Sequence, residues 1–305
     1  RRHTRFKCDW NSDVCSSDLA GMIFRRLAAT TILAAAVPLL AGAAPGGPVE
    51  VDVKLVIATD VSLSMTDEEA QLQREGTAEV FLDNEVVKAI KSGRVGRIAV
   101  AMLDWASPND DRVVLDWTLV EDKASAADLA AKIRKIPRTP GRRTSISGAL
   151  ERATAMLNDS DNIIVADRKV IDVSGDGPNN DGISLQHIHD TTADNGVIVN
   201  GLPIMDEHSE GYFPDLDKYY AACVVAGKGA FLVTVKAYKD FGSAMRRKLV
   251  LEISQNESQI RQALNGFPAN SLLIKTATGG AAALASQVRG PAKTYPGGCD
   301  KYGGW

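Results

Sequence analysis

Val51-Asp52-Val53-Lys54-Leu55-Val56-Ile57-Ala58-Thr59 restricts the fold of this chain more than any other run. It is apolar and rich in β-branched residues, the composition of a strand covered on both faces. A strand of that kind needs helices above and below it, and the rest of the chain supplies them. Thr66-Asp67-Glu68-Glu69 opens a helical pattern with carboxylates in its first turn, and its apolar positions run from Ala70 and Leu72 through Val80, Phe81, Val86 and Val87 to Ile90. Strand patterns follow over Arg97–Trp105 and Val113–Val120, joined by Ser107-Pro108-Asn109-Asp110-Asp111 as in a hairpin. A helix over Ala124–Ile136 is stopped by Pro137 and Pro140. Then come a helix opened by Thr144, a strand at Lys169–Ser174, a helix over Ile183–Asn195 closed by Gly196, and a strand at Val197–Ile204. A helix at Asp215–Val225, a strand at Ala230–Val235 and a helix at Phe241–Ile253 complete the series. Alternation of this kind predicts an α/β fold: a doubly wound, mostly parallel sheet with right-handed crossovers, helices on both faces and one antiparallel edge strand.

Oxygen donors gather where these strands end. Asp60-Val61-Ser62-Leu63-Ser64 puts one carboxylate and two hydroxyls in a tight loop after the first strand. Thr144 stands at a helix start, and Asp176 follows the strand that ends in Val173-Ser174-Gly175. In an open parallel sheet, loops at the carboxyl ends of neighbouring strands converge on one crevice. Hard oxygens suit Mg²⁺, Mn²⁺ or Ca²⁺ and suit zinc or copper poorly. The bland reading of the pentapeptide alone is an Asp/Ser turn that caps the next helix.

Asp60, Ser62, Ser64, Thr144 and Asp176 resemble, in order and context, the metal-ion-dependent adhesion site of von Willebrand factor A (VWA) domains. A closer resemblance is to an uncharacterised VWA-like family of secreted proteobacterial proteins, carried by Leu72-Gln73-Arg74-Glu75-Gly76, Arg143-Thr144-Ser145-Ile146-Ser147-Gly148-Ala149-Leu150, Ile171-Asp172-Val173-Ser174-Gly175-Asp176-Gly177-Pro178-Asn179-Asn180 and Arg246-Arg247-Lys248-Leu249-Val250-Leu251-Glu252-Ile253. The similarity spans about residues 50–255. It implies a VWA-like (Rossmann-like) fold with an antiparallel edge. It implies a site where Ser62, Ser64 and Thr144 ligate a Mg²⁺-type ion through hydroxyls and Asp60 and Asp176 act directly or through water. Such an ion keeps a position open for an Asp or Glu side chain of a protein partner, and the module recognises without turnover.

Two enzyme readings compete. Gly175-Asp176-Gly177-Pro178-Asn179-Asn180-Asp181 resembles the acidic Mg²⁺ loop of haloacid-dehalogenase-type phosphatases, with Asp60 as nucleophile. Those enzymes place a second Asp two residues on, where this chain has Ser62. A serine hydrolase is weaker, because Asp60–Ser64 lacks the glycines of a nucleophile elbow. His187 and His189, two apart on a helix, point to different faces and read as solvated. Asn179 and Asn180 read chiefly as turn formers. Asp104, at another strand end, reads either as support for the metal ligands or as surface. Arg142-Arg143 reads as a solvated loop and Arg246-Arg247-Lys248 as the polar face of an amphipathic helix.

Composition is that of a globular domain, with 45% hydrophobic and 24% charged residues. Residues 44–305 hold 29 Lys/Arg against 35 Asp/Glu, a net charge of −6, which gives no basis for nucleic-acid binding. Met22-Ile23-Phe24-Arg25-Arg26, the Ala-rich apolar run Leu27–Leu40 and the small residues Ala41-Gly42-Ala43 form the three parts of a signal peptide over 22–43. Pro38 and the weak hydropathy of the run argue against a retained membrane anchor. The expected location is periplasmic or secreted. Residues 1–21 lack periodicity, resemble translated sequencing-adapter DNA and read as a non-native or disordered extension. Setting them aside leaves Cys223 and Cys299, an even pair in an exported chain. They are either a disulfide tying down the tail or two free thiols. No Cys/His cluster of zinc-site spacing occurs. The expected organisation is therefore the extension 1–21, the signal peptide 22–43, the domain 50–255 and a loosely structured tail 256–305.

Overall fold

The computed structural model describes residues 47–206, 211–254, 272–274 and 295–301. The expected signal peptide over 22–43, the expected extension 1–21 and most of the expected tail 256–305 lie outside those residues. β1 (Val49–Asp60) occupies the middle of a seven-stranded sheet of order β3-β2-β1-β4-β5-β6-β7. It pairs in parallel with β2 (Ile98–Trp105) on one side and β4 (Ile164–Gly175) on the other. β5 (Val197–Pro203) and β6 (Phe231–Val233) continue the parallel order beyond β4. β3 (Arg112–Val120) runs antiparallel to β2 at one edge, as the hairpin-like connection predicts. A short strand the sequence did not suggest, β7 (Leu272–Ile274), is antiparallel to β6 at the opposite edge.

Period-2 alternation divides β1 between two cores. Val53, Leu55 and Ile57 pack with α1 (Asp67–Leu82), α2 (Asn84–Lys91), α3 (Lys123–Arg134) and α7 (Phe241–Ile253). Val56 and Ala58 pack with α4 (Ile146–Asn158), α5 (Leu185–Asp194) and the short α6 (Leu216–Tyr219), which runs into a single π-turn at Tyr220–Val224. β1 is covered on both sides, which is what its unbroken apolar run requires.

The long helical pattern expected after Thr66 is two helices. Thr66 and Glu69 form a capping box that starts α1, and Asp83 ends that helix while its carboxylate caps α2 by accepting from the Glu85 and Val86 amides. Leu72 is solvent-exposed, not a core position. α1 and α7 meet closely because both carry glycine at the contact: a Cβ on Gly76 would stand 3.0 Å from the Gly242 nitrogen.

Lys248 corrects the reading of Arg246-Arg247-Lys248 as a solvated face. It is fully buried beneath α7, with Nζ 2.6 Å from Asp172 Oδ1 on β4 and 2.5 Å from Glu252 Oε1 one turn along its own helix. Asn200 of β5 completes this group, donating to Glu252 Oε1 at 2.8 Å. Among the described residues no helix is long and apolar enough to cross a membrane.

Candidate metal centre

The carboxyl ends of β1 and β4 lie side by side, with Thr59 beside Ser174 in the ladder. Asp60 is therefore carried beside the Gly175–Asp176 turn. Side-chain alternation puts Asp60 on the α4–α6 face, with Val56 and Ala58. It is fully buried. Its Oδ1 accepts from the Ser62 amide at 2.8 Å, which fixes the tight turn after the strand. Among the described residues its Oδ2 has no hydrogen-bond partner. Gly175 is required here by close approach: a Cβ would lie 2.8 Å from Tyr220 Oη and 3.0 Å from Asp60 Oδ2.

Ser62, Ser64 and Asp176 form a chain of oxygens. Ser62 Oγ is 2.8 Å from Ser64 Oγ, and Ser64 Oγ donates to Asp176 Oδ1 at 2.8 Å. Thr144 closes the third side. Its Oγ1 is 3.9 Å from where a Cβ on Gly177 would stand, so its side chain faces the Asp176–Gly177 turn. Thr144 is not the helix cap; Ser145 is, accepting from the Gly148 amide at 3.2 Å. The Thr144 hydroxyl is thus not spent on the helix end. All five residues suggested by the sequence come together at one rim of the sheet.

Electrostatics there are one-sided. Burial pushes the Asp60 carboxyl well above the usual carboxylate range, and the charge of Asp176 pushes it further against the opposing Ser62 hydrogen bonds. Burial also raises Asp176, the Ser64 hydrogen bond opposes that rise, and the charges of Asp206 and Glu69 add to it. Tyr220 is raised well above its ordinary value by burial first and by Asp60 second. Among the described residues these two buried acids form no salt bridge and Asp60 Oδ2 has no hydrogen-bond partner, while three hydroxyls stand around them. This donor set fits a hard divalent cation. With only two carboxylates it falls short of a carboxylate cage, and among the described residues no group of three or more His, Cys, Asp or Glu is placed to hold an ion.

Several supporting residues were not legible as such in the sequence. Arg138 donates through Nη2 to the Ser62 carbonyl at 3.3 Å and the Met65 carbonyl at 2.8 Å, holding the first loop. Asn180 Oδ1 accepts the Thr144 amide at 2.9 Å, and the Asn180 amide returns a bond to the Thr144 carbonyl at 2.9 Å. Asn179 Oδ1 accepts the Ser147 amide at 2.9 Å. The two asparagines therefore do more than form a turn: they lock the Asp176 loop to the Thr144 loop. Asp104 is neither surface nor support for this group of oxygens. It shares the α1 side of β2 with Met102, opposite to Asp60, and pairs with Arg74 at 2.7 Å. His187 is exposed as expected, whereas His189 is half-buried with Nε2 3.0 Å from the Val225 carbonyl. Arg142 and Arg143 are exposed.

No curated protein matches the chain in sequence. Among solved structures, it is similar to proximal thread matrix protein 1 from the mussel byssus with a zinc-occupied MIDAS motif, at 16% identity over 68% of this chain and 49% of that one, with a TM-score of 0.46. It is similar to the pilus adhesin SpaC from Lactobacillus rhamnosus GG at 13% identity over 68% and 32%, TM-score 0.45. It is similar to a von Willebrand factor type A protein from Catenulispora acidiphila at 13% identity over 67% and 43%, TM-score 0.42. The chain thus spans less than half the length of each of these three. A family model described as a protein of unknown function, DUF1194, matches residues 50–257, nearly the whole of the sheet and its helices, and this chain belongs to that family.

Proposed function

We propose that this protein is a metal-dependent protein-binding module of the adhesion type, acting outside the cytoplasm. A Mg²⁺-type ion would be held by the hydroxyls of Ser62, Ser64 and Thr144 with Asp60 and Asp176, directly or through water. When bound, the ion supplies an electron-poor centre with a position open to a carboxylate. The partner is a protein presenting an Asp or Glu side chain.

One observation carries this reading. Asp60 Oδ2 is buried beside a second carboxylate, and among the described residues it has no hydrogen-bond partner and neither acid forms a salt bridge. A buried, unpartnered anionic oxygen is costly, and a cation at that spot removes the cost. The protein's own part is to hold the donors: the end of β1 and the turn after β4 fix the carboxylates, Arg138 fixes the serine loop, and Asn180 fixes Thr144. The Cys223–Cys299 disulfide supports an oxidising location.

Calorimetric titration with Mg²⁺ and Mn²⁺ tests the site. Parent protein should bind one ion, and Asp60→Ala should lose it while keeping its circular dichroism spectrum. Capture of acidic peptides in Mg²⁺ against chelator then tests the partner chemistry. Unchanged metal affinity in Asp60→Ala defeats the assignment. Phosphatase turnover that disappears in the same variant would replace it with an enzyme using Asp60 and Asp176.

A further inference from the structure

We propose that the C-terminal segment Tyr295–Lys301 is a positioning clamp for the Asp176 loop of the metal centre, acting through Tyr219. The proposal rests on the metal reading above for its purpose, and on hydrogen bonds independent of that reading for its mechanics.

The segment reaches the site from far along the chain. Cys299 is joined to Cys223 of the π-turn after α6, a bond that closes a separation of 76 residues. Both cysteines are buried. The bond delivers the Cys299 carbonyl to Tyr219, whose hydroxyl donates to it at 2.8 Å. The same hydroxyl oxygen accepts the amide of Asn179 at 3.3 Å. Tyr295 packs edge-on against the Tyr219 ring, centroids 5.2 Å apart, which fixes where that hydroxyl points.

A second grip lies a few residues on. Asp300 accepts the Leu185 amide at 2.7 Å and the Ser184 hydroxyl at 2.7 Å, at the start of α5. The loop leaving Asp176 is therefore held at Asn179 and again at Ser184–Leu185 by one short segment. That loop needs holding. Gly175-Asp176-Gly177-Pro178-Asn179-Asn180-Asp181-Gly182 is glycine-rich, and Gly182 adopts φ +94°. Such a sequence loses much conformational freedom when it is fixed. It carries Asp176 at one end, and through Asn179 and Asn180 it sets the Ser147 and Thr144 amides. Donors for a small hard ion must stand at fixed spacing, and the groups that orient them affect affinity strongly.

Tyr219→Phe keeps the ring, the Tyr295 contact and the disulfide, and removes only the oxygen between Asn179 and Cys299. It should weaken Mg²⁺ affinity by roughly tenfold in calorimetry. It should also speed hydrogen exchange at the Asn179 amide while the β1 amides keep their parent rates, a local change that general destabilisation would not give. Cys223→Ser/Cys299→Ser should lose at least as much affinity and also free the Leu185 amide. The proposal is overturned if Tyr219→Phe binds Mg²⁺ within about twofold of parent and its Asn179 exchange is unchanged. If the parent binds no Mg²⁺ at all, the metal reading fails, and exchange decides the clamp alone: unaltered Asn179, Ser147 and Leu185 amides in the double cysteine variant would overturn it.

Discussion

β4 and the turn that ends it carry an acid into each of two buried carboxylate clusters, Asp172 and Asp176, and the two clusters are built differently. Inside the sheet, Asp172 meets Glu252 from α7, and Lys248 stands between them within 2.6 Å of both. At the rim, Asp176 meets Asp60 from β1, and neither forms a salt bridge among the described residues. The interior cluster brings its own cation, although among the described residues Asp172 Oδ2 and Glu252 Oε2 still lack partners. The rim cluster brings hydroxyls in place of a cation. Burial raises the acids in both places. The difference is in who supplies the positive charge: the chain for the cluster that joins α7 to the sheet and, on the function proposed above, an outside ion for the cluster that faces the loops.

The comparison breaks most readily at Lys248. Lys248→Met removes the ammonium that pairs with two buried carboxylates, and Asn200 cannot replace its charge. Losing one partner of a buried ionic group costs about 3–5 kcal/mol. Urea unfolding should show a loss of that size, with chelator present so that the rim contributes nothing. A loss below about 1 kcal/mol would mean that the interior cluster is no better served by its lysine than an exposed pair would be.

The two clusters also differ in how far the sequence discloses them. The rim is legible because its donors sit where strands end, three of them within Asp60–Ser64. The interior cluster is not, because a lysine after two arginines on a helix has the pattern of a solvated face. Only the pairing of α7 with β4 and β5 reveals it. The sheet order was largely readable from apolar runs, while β7 has too little sequence of its own to announce a strand. Residues that work through backbone atoms, such as Arg138 on two carbonyls and Asn179 and Asn180 on two amides, leave no signature in residue type. Asp104 could have been placed by counting: it stands beside Thr59 in the ladder, and Thr59 and Asp60 face opposite ways.

A smaller effect is expected with pH. Glu252 is pushed up to about 7 from 4.5, chiefly by burial, with Lys248 pulling the other way and Asp172 adding to the rise. Asp172 on β4 is itself raised by burial, against the pull of Lys248. Among the described residues the other groups acting on Glu252 are Asn200 on β5 and the Arg168 charge on β4. A folded-state value above the unfolded one means that the folded protein holds the extra proton. The stability contributed is complete below the unfolded value near 4.5 and is lost as pH rises through about 7. At 1.36 kcal/mol for each pH step, a rise from 4.5 to about 7 makes the total from Glu252 at most about 3–4 kcal/mol. Urea unfolding in chelator across that range should show the decline, and Glu252→Gln should flatten it. A decline that persists undiminished in Glu252→Gln would move its origin to other acids.

Asp60→Asn should give the smallest change in the metal-free protein, and that smallness sharpens the contrast with Lys248. The substitution removes one of two repelling buried charges and keeps an oxygen to accept the Ser62 amide. Its new amide hydrogens stand where Oδ2 now has no partner, close to Asp176 and Tyr220. Lost repulsion and lost desolvation cost offset the change in hydrogen bonding, so the variant should stay within about 1 kcal/mol of parent, on the stabilising side. Adding Mg²⁺ should separate the two proteins. Parent gains about 2.7 kcal/mol when the ion is a hundredfold above its dissociation constant, and the variant gains little. Paired thermal melts with chelator and with Mg²⁺ read both numbers at once. If Asp60→Asn instead costs about 3 kcal/mol in chelator, as the interior variant does, then the rim carboxylate is a structural member of the fold and the distinction between the two clusters collapses.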